Sequence, residues 1–199
     1  MGRVVVVENV TLDGVMQAPG RPDEDRRGDF ARGGWAVPYM DSVLGQVMGA
    51  DMARGGALLF GRRTYEDFFS YWPHHEDNPF TPVLNERQKY VASRTLAEPL
   101  SWRNSTLLKG DAVGAVANLK QRLAEDLTVM GSGELVQSLR QRDLVDEYLL
   151  LIHPLVFGSG RRLFPDDSPS ATLRLVEVTP TTTGVLIARY RPAETGTAA

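Results

Sequence analysis

The chain has 199 residues, enough for one substantial core, so a single domain is the default. Its net charge is −3 with both signs interspersed, which gives no basic footprint for nucleic acid or an acidic membrane surface. It contains no cysteine, which excludes disulfides, thiolate metal sites and a cysteine nucleophile and fits a reducing compartment.

The apolar stretch near the N-terminus, within Met1 to Glu8, is too short for a signal peptide. The longest apolar run, Tyr148 to Phe157, is broken by His153 and Pro154. No membrane span and a cytoplasmic location are therefore expected.

Arg3 to Asn9 reads as a valine-rich strand covered on both faces. Leu12-Asp13-Gly14-Val15 carries an Asp-Gly turn signal. Gln17 to Gly34 is polar and without periodicity; a loop this long is either a lid over a site or an insertion, and composition leaves both open. Trp35 suits a core anchor better than the wall of a pocket, the other reading. Pro38 to Asp51 has Met40, Val43, Leu44, Val47 and Met48 at helical spacing, with Pro38 in the first turn.

Ala57 to Phe60 is a second buried strand, followed by Gly61-Arg62-Arg63-Thr64 opening a helix through Phe69. Two cations at a helix N-terminus are unfavourable on their own. A bound anion would account for them; so would simple solvation. His74 and His75 are adjacent on a loop with no third ligand suitably spaced, so no metal site is expected. Tyr90 to Ala92 is a third strand, and Ser93-Arg94-Thr95 stand at its end. Asn104 to Leu108 is a short strand, and Asp111 suits the N-cap of a helix carrying Ala112, Val113, Val116, Leu119 and Leu123.

Leu127 to Leu139 reads strand, Gly-Ser-Gly turn, helix. Such a turn lets backbone approach an anionic ligand, and the following helix points its free N–H groups at it. An ordinary strand–helix turn with Ser132 as N-cap is the other reading. The G-x-G-x-x-G pattern is not met, since Val136 occupies the third glycine's place. Glu147 to His153 is a strong strand, and Leu173 to Val178 with Val185 to Tyr190 form a hairpin. Pro192 to Ala199 is a small-residue tail, which leaves 1–191 as the domain.

Strand–helix alternation followed by strands alone predicts an α/β fold. It has a mostly parallel central sheet flanked by helices and extended by an antiparallel C-terminal hairpin. In such sheets ligands bind beyond the carboxyl ends of the strands. The junctions at Gly61-Arg62, Ser93-Arg94 and Gly131 to Gly133 all fall there, so one crevice fit for a phosphorylated ligand is expected.

Three segments resemble the reductase domain of the bifunctional riboflavin-biosynthesis deaminase–reductase. They are Val129-Met-Gly-Ser-Gly-Glu-Leu135, Leu144-Val-Asp-Glu147 and His153-Pro-Leu-Val-Phe-Gly-Ser-Gly-Arg-Arg-Leu-Phe164. Leu12 to Gly14, Gly61 to Thr64 and Ser93 to Thr95 are similar to the matching elements of dihydrofolate reductase, which has the same fold. The combination resembles stand-alone dihydrofolate-reductase-like proteins of the riboflavin-reductase C-terminal domain family, from about Arg3 to Tyr190.

The resemblance implies NADPH as hydride donor and a small heterocyclic substrate, the best-known being a pyrimidine bearing a ribosylamino phosphate. It places Gly131, Ser132, Gly133 and Glu134 along the pyrophosphate, flanked by Met130 and Leu135. Gly61, Arg62, Arg63 and Thr64 would bind phosphate, and Ser93, Arg94 and Thr95 the adenosine 2′-phosphate. Leu12, Asp13 and Gly14 would pass near the nicotinamide. Asp41 falls where dihydrofolate reductase carries its acid, although an exposed helix-start carboxylate is equally favourable there.

The family usually has Glu where this chain has Met130. The zinc deaminase signature requires cysteines and is absent, so reduction alone is implied. A folate-type pterin reductase and a non-catalytic nucleotide-binding protein are the other readings. A homodimer is expected, mainly from the resemblance, with the apolar Tyr148–Phe157 strand as the sequence support.

Overall fold

The computed structural model describes residues 1–166 and 168–193. Its elements are β1 (Val4–Thr11), α1 (Ser42–Ala53), β2 (Ala57–Gly61), α2 (Arg62–Tyr71), α3 (Phe80–Glu86), β3 (Lys89–Ala92), β4 (Ser105–Leu108), α4 (Ala112–Arg122), β5 (Leu127–Met130), α5 (Gly133–Arg140), β6 (Glu147–His153), β7 (Leu173–Pro180) and β8 (Leu186–Pro192). The strands form one 8-stranded sheet in the order β4-β3-β2-β5-β1-β6-β8-β7. The first six in that order run parallel, while β8 and β7 add an antiparallel edge.

The lack of alternation in β1 has the expected cause. Val4 and Val6 pack with Leu127, Val129, Val136 and Leu139 on the face covered by α4 and α5. Val5 and Val7 pack with Leu44, Val47 and Met48 on the face covered by α1. Further along that face, Leu58, Phe60 and Val91 meet Tyr65 and Phe68 of α2 and Leu84 of α3. With both sides buried, a strand gains from apolar residues at every position, each contributing roughly 1.5–3 kcal/mol. Trp35 belongs to a smaller cluster with Val15, Ala18 and Phe30, and its indole N–H donates to the Gln17 carbonyl at 2.7 Å.

Some boundaries differ from the sequence expectation. The segment from Pro38 is not one helix. Val37–Tyr39 form a single 3-10 turn, Met40 is extended, and α1 begins at Ser42. The cause is Asp41, whose side chain captures the Leu44 N–H at 2.8 Å and starts a new helix. Ser132 occupies the N-cap position of α5 but makes no side-chain cap bond. Pro192 ends β8 and Ala193 donates to the Thr172 carbonyl, so the ordered edge runs past residue 191; residues 194–199 of the expected tail lie outside the described residues. The Tyr148–Phe157 run is not spare apolar surface either. Its strand lies between β1 and β8, with Tyr148 to Leu151 buried. Of the large apolar side chains in that run only Val156 is exposed, whereas the hairpin groups four exposed ones, Leu175, Val176, Val178 and Leu186.

Candidate active site

Between β5 and β1 the direction of chain winding reverses. The connection from β1 leads through α1 toward β2, whereas that from β5 leads through α5 toward β6. The loops leaving the two strands diverge there and open a crevice at their carboxyl ends. The cleft has a volume of about 1130 Å³, more than a single small ligand needs.

Because β2, β5 and β1 are neighbours, the Gly61-to-Thr64 and Gly131-to-Gly133 junctions meet in the cleft floor. Gly131 and Ser132 have φ values of 60° and 62°. This turns the chain sharply and leaves Ser132 facing back toward α2. The Ser132 N–H donates to the Thr64 hydroxyl at 3.0 Å, and the Ser132 hydroxyl accepts from the Gly61 N–H at 2.9 Å. A Cβ on Gly131 would come within 3.1 Å of the Thr64 hydroxyl, so glycine is needed for space as well as for its φ. Gly133 is not left-handed; a side chain there would instead press on the Met16 sulfur, 2.8 Å from its Cβ position.

Among the described residues, the backbone N–H groups of Gly131, Gly133 and Glu134 have no hydrogen-bond partner. Together with the α5 dipole they form an anion-seeking surface. Three arginines converge just above it on one oxygen, Glu134 Oε1: Arg63 at 3.2 Å, Arg161 at 3.3 Å and Arg27 at 3.5 Å. Arg62 is drawn to Glu66 at 2.9 Å. Beyond β2, at the end of β3, the Ser93 hydroxyl accepts from the Thr95 and Leu96 N–H groups. That turn presents Arg94, which is exposed and makes no ion pair among the described residues.

The Gln17-to-Gly34 loop forms a wall of the cleft. Gln17 organises it. Its side chain donates to the Asp25 and Arg27 carbonyls and accepts from the Arg161 N–H at 3.0 Å. Arg21 reaches across to Asp67 of α2 and lies over the Tyr71 ring.

The cleft wall therefore contains Gly61, Arg62, Arg63, Thr64, Ser93, Arg94, Thr95, Met130, Gly131, Ser132, Gly133, Glu134 and Leu135 together. It does not contain Leu12, Asp13, Gly14 or Asp41. The Asp13 carboxylate is a brace: it accepts from the Thr11 hydroxyl at 2.6 Å, the Phe157 N–H at 3.1 Å and the Gly158 N–H at 2.7 Å. The bond from Thr11, against some burial cost and with help from the Gly158 and Phe157 amides, lowers its pKa to about 2. Leu12 is exposed. Asp41 caps α1 and also accepts from the Thr182 N–H and hydroxyl. The Leu44 and Thr182 bonds push its pKa down, opposite to what a proton donor needs.

Sequence reading missed the polar end of β1. Glu8 is buried, lines the cleft, and its Oε1 has no partner among the described residues. Asn9, beside it, lines the cleft and accepts at Oδ1 from His153 Nε2, 2.9 Å away. The imidazole is fully buried between the Trp35 and Tyr39 rings, and that burial lowers its pKa to about 4. Neutral, it donates Nε2–H to Asn9 and so leaves the Asn9 amide N–H groups for the cleft. The available signal was an acid followed by an amide inside a valine run, where a carboxylate is costly without a purpose.

The RibD C-terminal domain family model matches residues 3–187. The chain belongs to that family. The chain is similar to the uncharacterized protein YyaP of Bacillus subtilis strain 168, 27% identical over 188 residues and 92% of each chain. A protein of Shewanella sp. PV-4 named for riboflavin biosynthesis superposes with a TM-score of 0.67 at 20% identity, covering 96% of this chain and 99% of its own. Dihydrofolate reductase from Enterococcus faecalis, complexed with NADP(H) and RAB-propyl, superposes with a TM-score of 0.61 at 12% identity, covering 97% and 98%. The fold is thus dihydrofolate-reductase-like, and the RibD C-terminal family makes the chain a reductase-type protein. Among the described residues no helix is long and apolar enough to cross a membrane.

Proposed function

We propose that this protein is an NADPH-dependent reductase of a small heterocyclic substrate, of the kind represented by a pyrimidine carrying a ribosylamino phosphate. The observation that carries the reading is the convergence of three strand ends, β2, β3 and β5, on one cleft, each bringing groups that bind phosphate. The free amides of Gly131, Gly133 and Glu134 suit a pyrophosphate. Ser93, Arg94 and Thr95, one strand further out, suit a 2′-phosphate, for which an unpaired guanidinium is the preferred partner. The arginines around Glu134 and the Gln17-to-Gly34 loop enclose the space between, where they exclude water and hold the acceptor against the nicotinamide.

When bound, NADPH supplies the hydride; the chain binds, orients and desolvates. Glu8 and Asn9 favour turnover over mere nucleotide binding, since a binding protein has no use for an unpaired acid in the cleft.

A second copy of the chain is the proposed partner. The outer strand β7 has an unpaired edge at one end of the sheet and exposes Leu175, Val176 and Val178, an apolar surface that a homodimer would cover. The reductase reading is tested by following NADPH absorbance with a panel of pyrimidine and pterin substrates. Oxidation with at least one of them is expected. Tight NADPH binding with no turnover across the panel would favour the non-catalytic alternative.

A further inference from the structure

Two carboxyl groups of this protein are almost wholly buried in neighbouring strands, and their surroundings are opposite. Glu147, at the far end of the sheet from the cleft, is 1% exposed. It accepts from Arg3 at 3.1 Å, from Arg191 at 2.9 Å and from Arg189. Burial alone would raise its pKa, but the bonds from Arg189 and Arg191 and the charges of Arg189 and Arg3 outweigh that and hold it low. Glu8 is 4% exposed and has no such partner among the described residues. On the sheet it lies opposite Leu150 of β6 and one step beyond the Val7–Met130 pair, beside the Gly131 turn.

The charged groups around Glu8 do not neutralise it. Glu24 faces it from the loop and is half-buried, with its carboxylate tied to the Gly20 and Arg21 amides. Arg27 and Arg161 line the same cleft but are committed to Glu134, and Arg27 also to Asp25. Burial, and then the Glu24 charge, drive the Glu8 pKa well above the usual carboxylate range. An unpaired acid in a valine strand is a cost to folding. Its position in the cleft wall is the compensating use.

We propose that Glu8 is the proton donor of the cleft, giving its proton to the nitrogen of a substrate C=N bond as hydride from the reduced nicotinamide reaches the carbon. This rests on the nicotinamide-reductase reading above. The hydride brings one hydrogen and two electrons to carbon. The C=N π pair moves to nitrogen and takes the Glu8 proton, so the product is an amine. The cofactor leaves oxidised, and the Glu8 carboxylate recovers a proton from solvent. The substrate class is an imine or imine-containing heterocycle that is not already protonated at neutral pH, for which an acid in the site is required.

The test uses the full chain, wild type and Glu8→Gln, with NADPH and two probes. 3-Phenyl-2H-1,4-benzoxazine, a weakly basic N-aryl imine that is neutral at pH 7, needs a proton for reduction; its N-methyl iminium derivative, a fixed cation, needs none. Glu8→Gln should lose roughly 10²–10⁴-fold in kcat on the first probe, while the ratio of rates on the two probes shifts by the same factor. NADPH affinity by fluorescence titration should not change. Difference infrared spectroscopy should show a protonated carboxyl band at pH 7 that is missing from Glu8→Gln. Equal loss on both probes, or no loss on the imine, would overturn the proposal. An ionised Glu8 at pH 7 would overturn it whether or not cofactor binds. Wild type that binds NADPH and reduces neither probe would contradict the C=N substrate class. Failure of wild type to bind NADPH refutes the reductase reading itself and is seen in the titration alone.

Discussion

The backbone N–H of Ser132 donates to the Thr64 hydroxyl at 3.0 Å, and this bond ties together two turns 68 residues apart in sequence. The Ser132 hydroxyl completes the tie by accepting from Gly61. The N-termini of α2 and α5 are thereby fixed toward one cleft, and the free amides of the glycine turn are held in place before any ligand arrives.

Thr64→Val keeps the side-chain shape and removes the acceptor. A half-buried N–H is left unpaired, so stability should fall by about 1–3 kcal/mol. Because the turn is proposed to hold the pyrophosphate, which NADPH and NADH share, affinity for both should fall by a similar factor. Chemical denaturation and paired cofactor titrations check the two parts. An unchanged variant would mean that the turn is held by other contacts.

His153 makes stability depend on acid. Its folded pKa is about 4 because it is buried, against about 6.5 in the unfolded chain. Between these values the unfolded state takes up a proton that the folded state refuses. The contribution of His153 should therefore be constant above pH 6.5 and fall as pH drops toward 4, by up to about 1.4 kcal/mol per pH unit. His153→Phe retains a ring against Trp35 and Tyr39 and should show a flatter curve through that window. Thermal melts of both proteins from pH 7.5 to 4 give the comparison, and parallel curves would contradict it.

Most of this fold was legible because the sheet is buried on both sides. Continuous apolar runs marked β1, β2 and β6, and glycines marked where β2 and β5 end. The candidate cleft was legible where its shape depends on local backbone, at Gly61 and Gly131 to Gly133. It was not legible where it depends on which strands become neighbours. Glu8 gains its character only from β6 beside it and Glu24 above it, both distant in sequence. Arg161 and Arg27 meet Glu134 for the same reason. Asp13 misled the reading because its Asp-Gly turn is real, but its carboxylate is spent on the Phe157 and Gly158 amides.

Asp13→Ala should cost about 1.5–3 kcal/mol, the range for hydrogen bonds to a charged group. The loop at 154–160 should become more accessible to hydrogen exchange. With the Asp13 pKa lowered to about 2, chiefly by the Thr11 hydroxyl, its contribution is present above the ordinary carboxylate pKa of about 4. It is lost as pH falls through about 2. Loss of stability without faster exchange at 154–160 would place the brace elsewhere.

Val176→Lys on β7 puts a charge into the proposed dimer surface. Light scattering at micromolar concentration should give a dimer mass for wild type and a monomer mass for the variant, with the melting temperature of the separated subunit lowered. A monomeric wild type would rule out a homodimer.

The most direct test of the proposed NADPH cleft is a titration of NADPH and NADH against wild type and Arg94→Ala, followed by tryptophan fluorescence at fixed salt. The cofactors differ only by the 2′-phosphate. A charge-assisted bond to it contributes on the order of 1.5–3 kcal/mol, or roughly 10- to 100-fold in affinity. Wild type should therefore prefer NADPH, and Arg94→Ala should lose most of that preference while its affinity for NADH stays within about a factor of three. Equal wild-type affinity for the two cofactors, or an equal loss of both in Arg94→Ala, would contradict the assignment of the cleft.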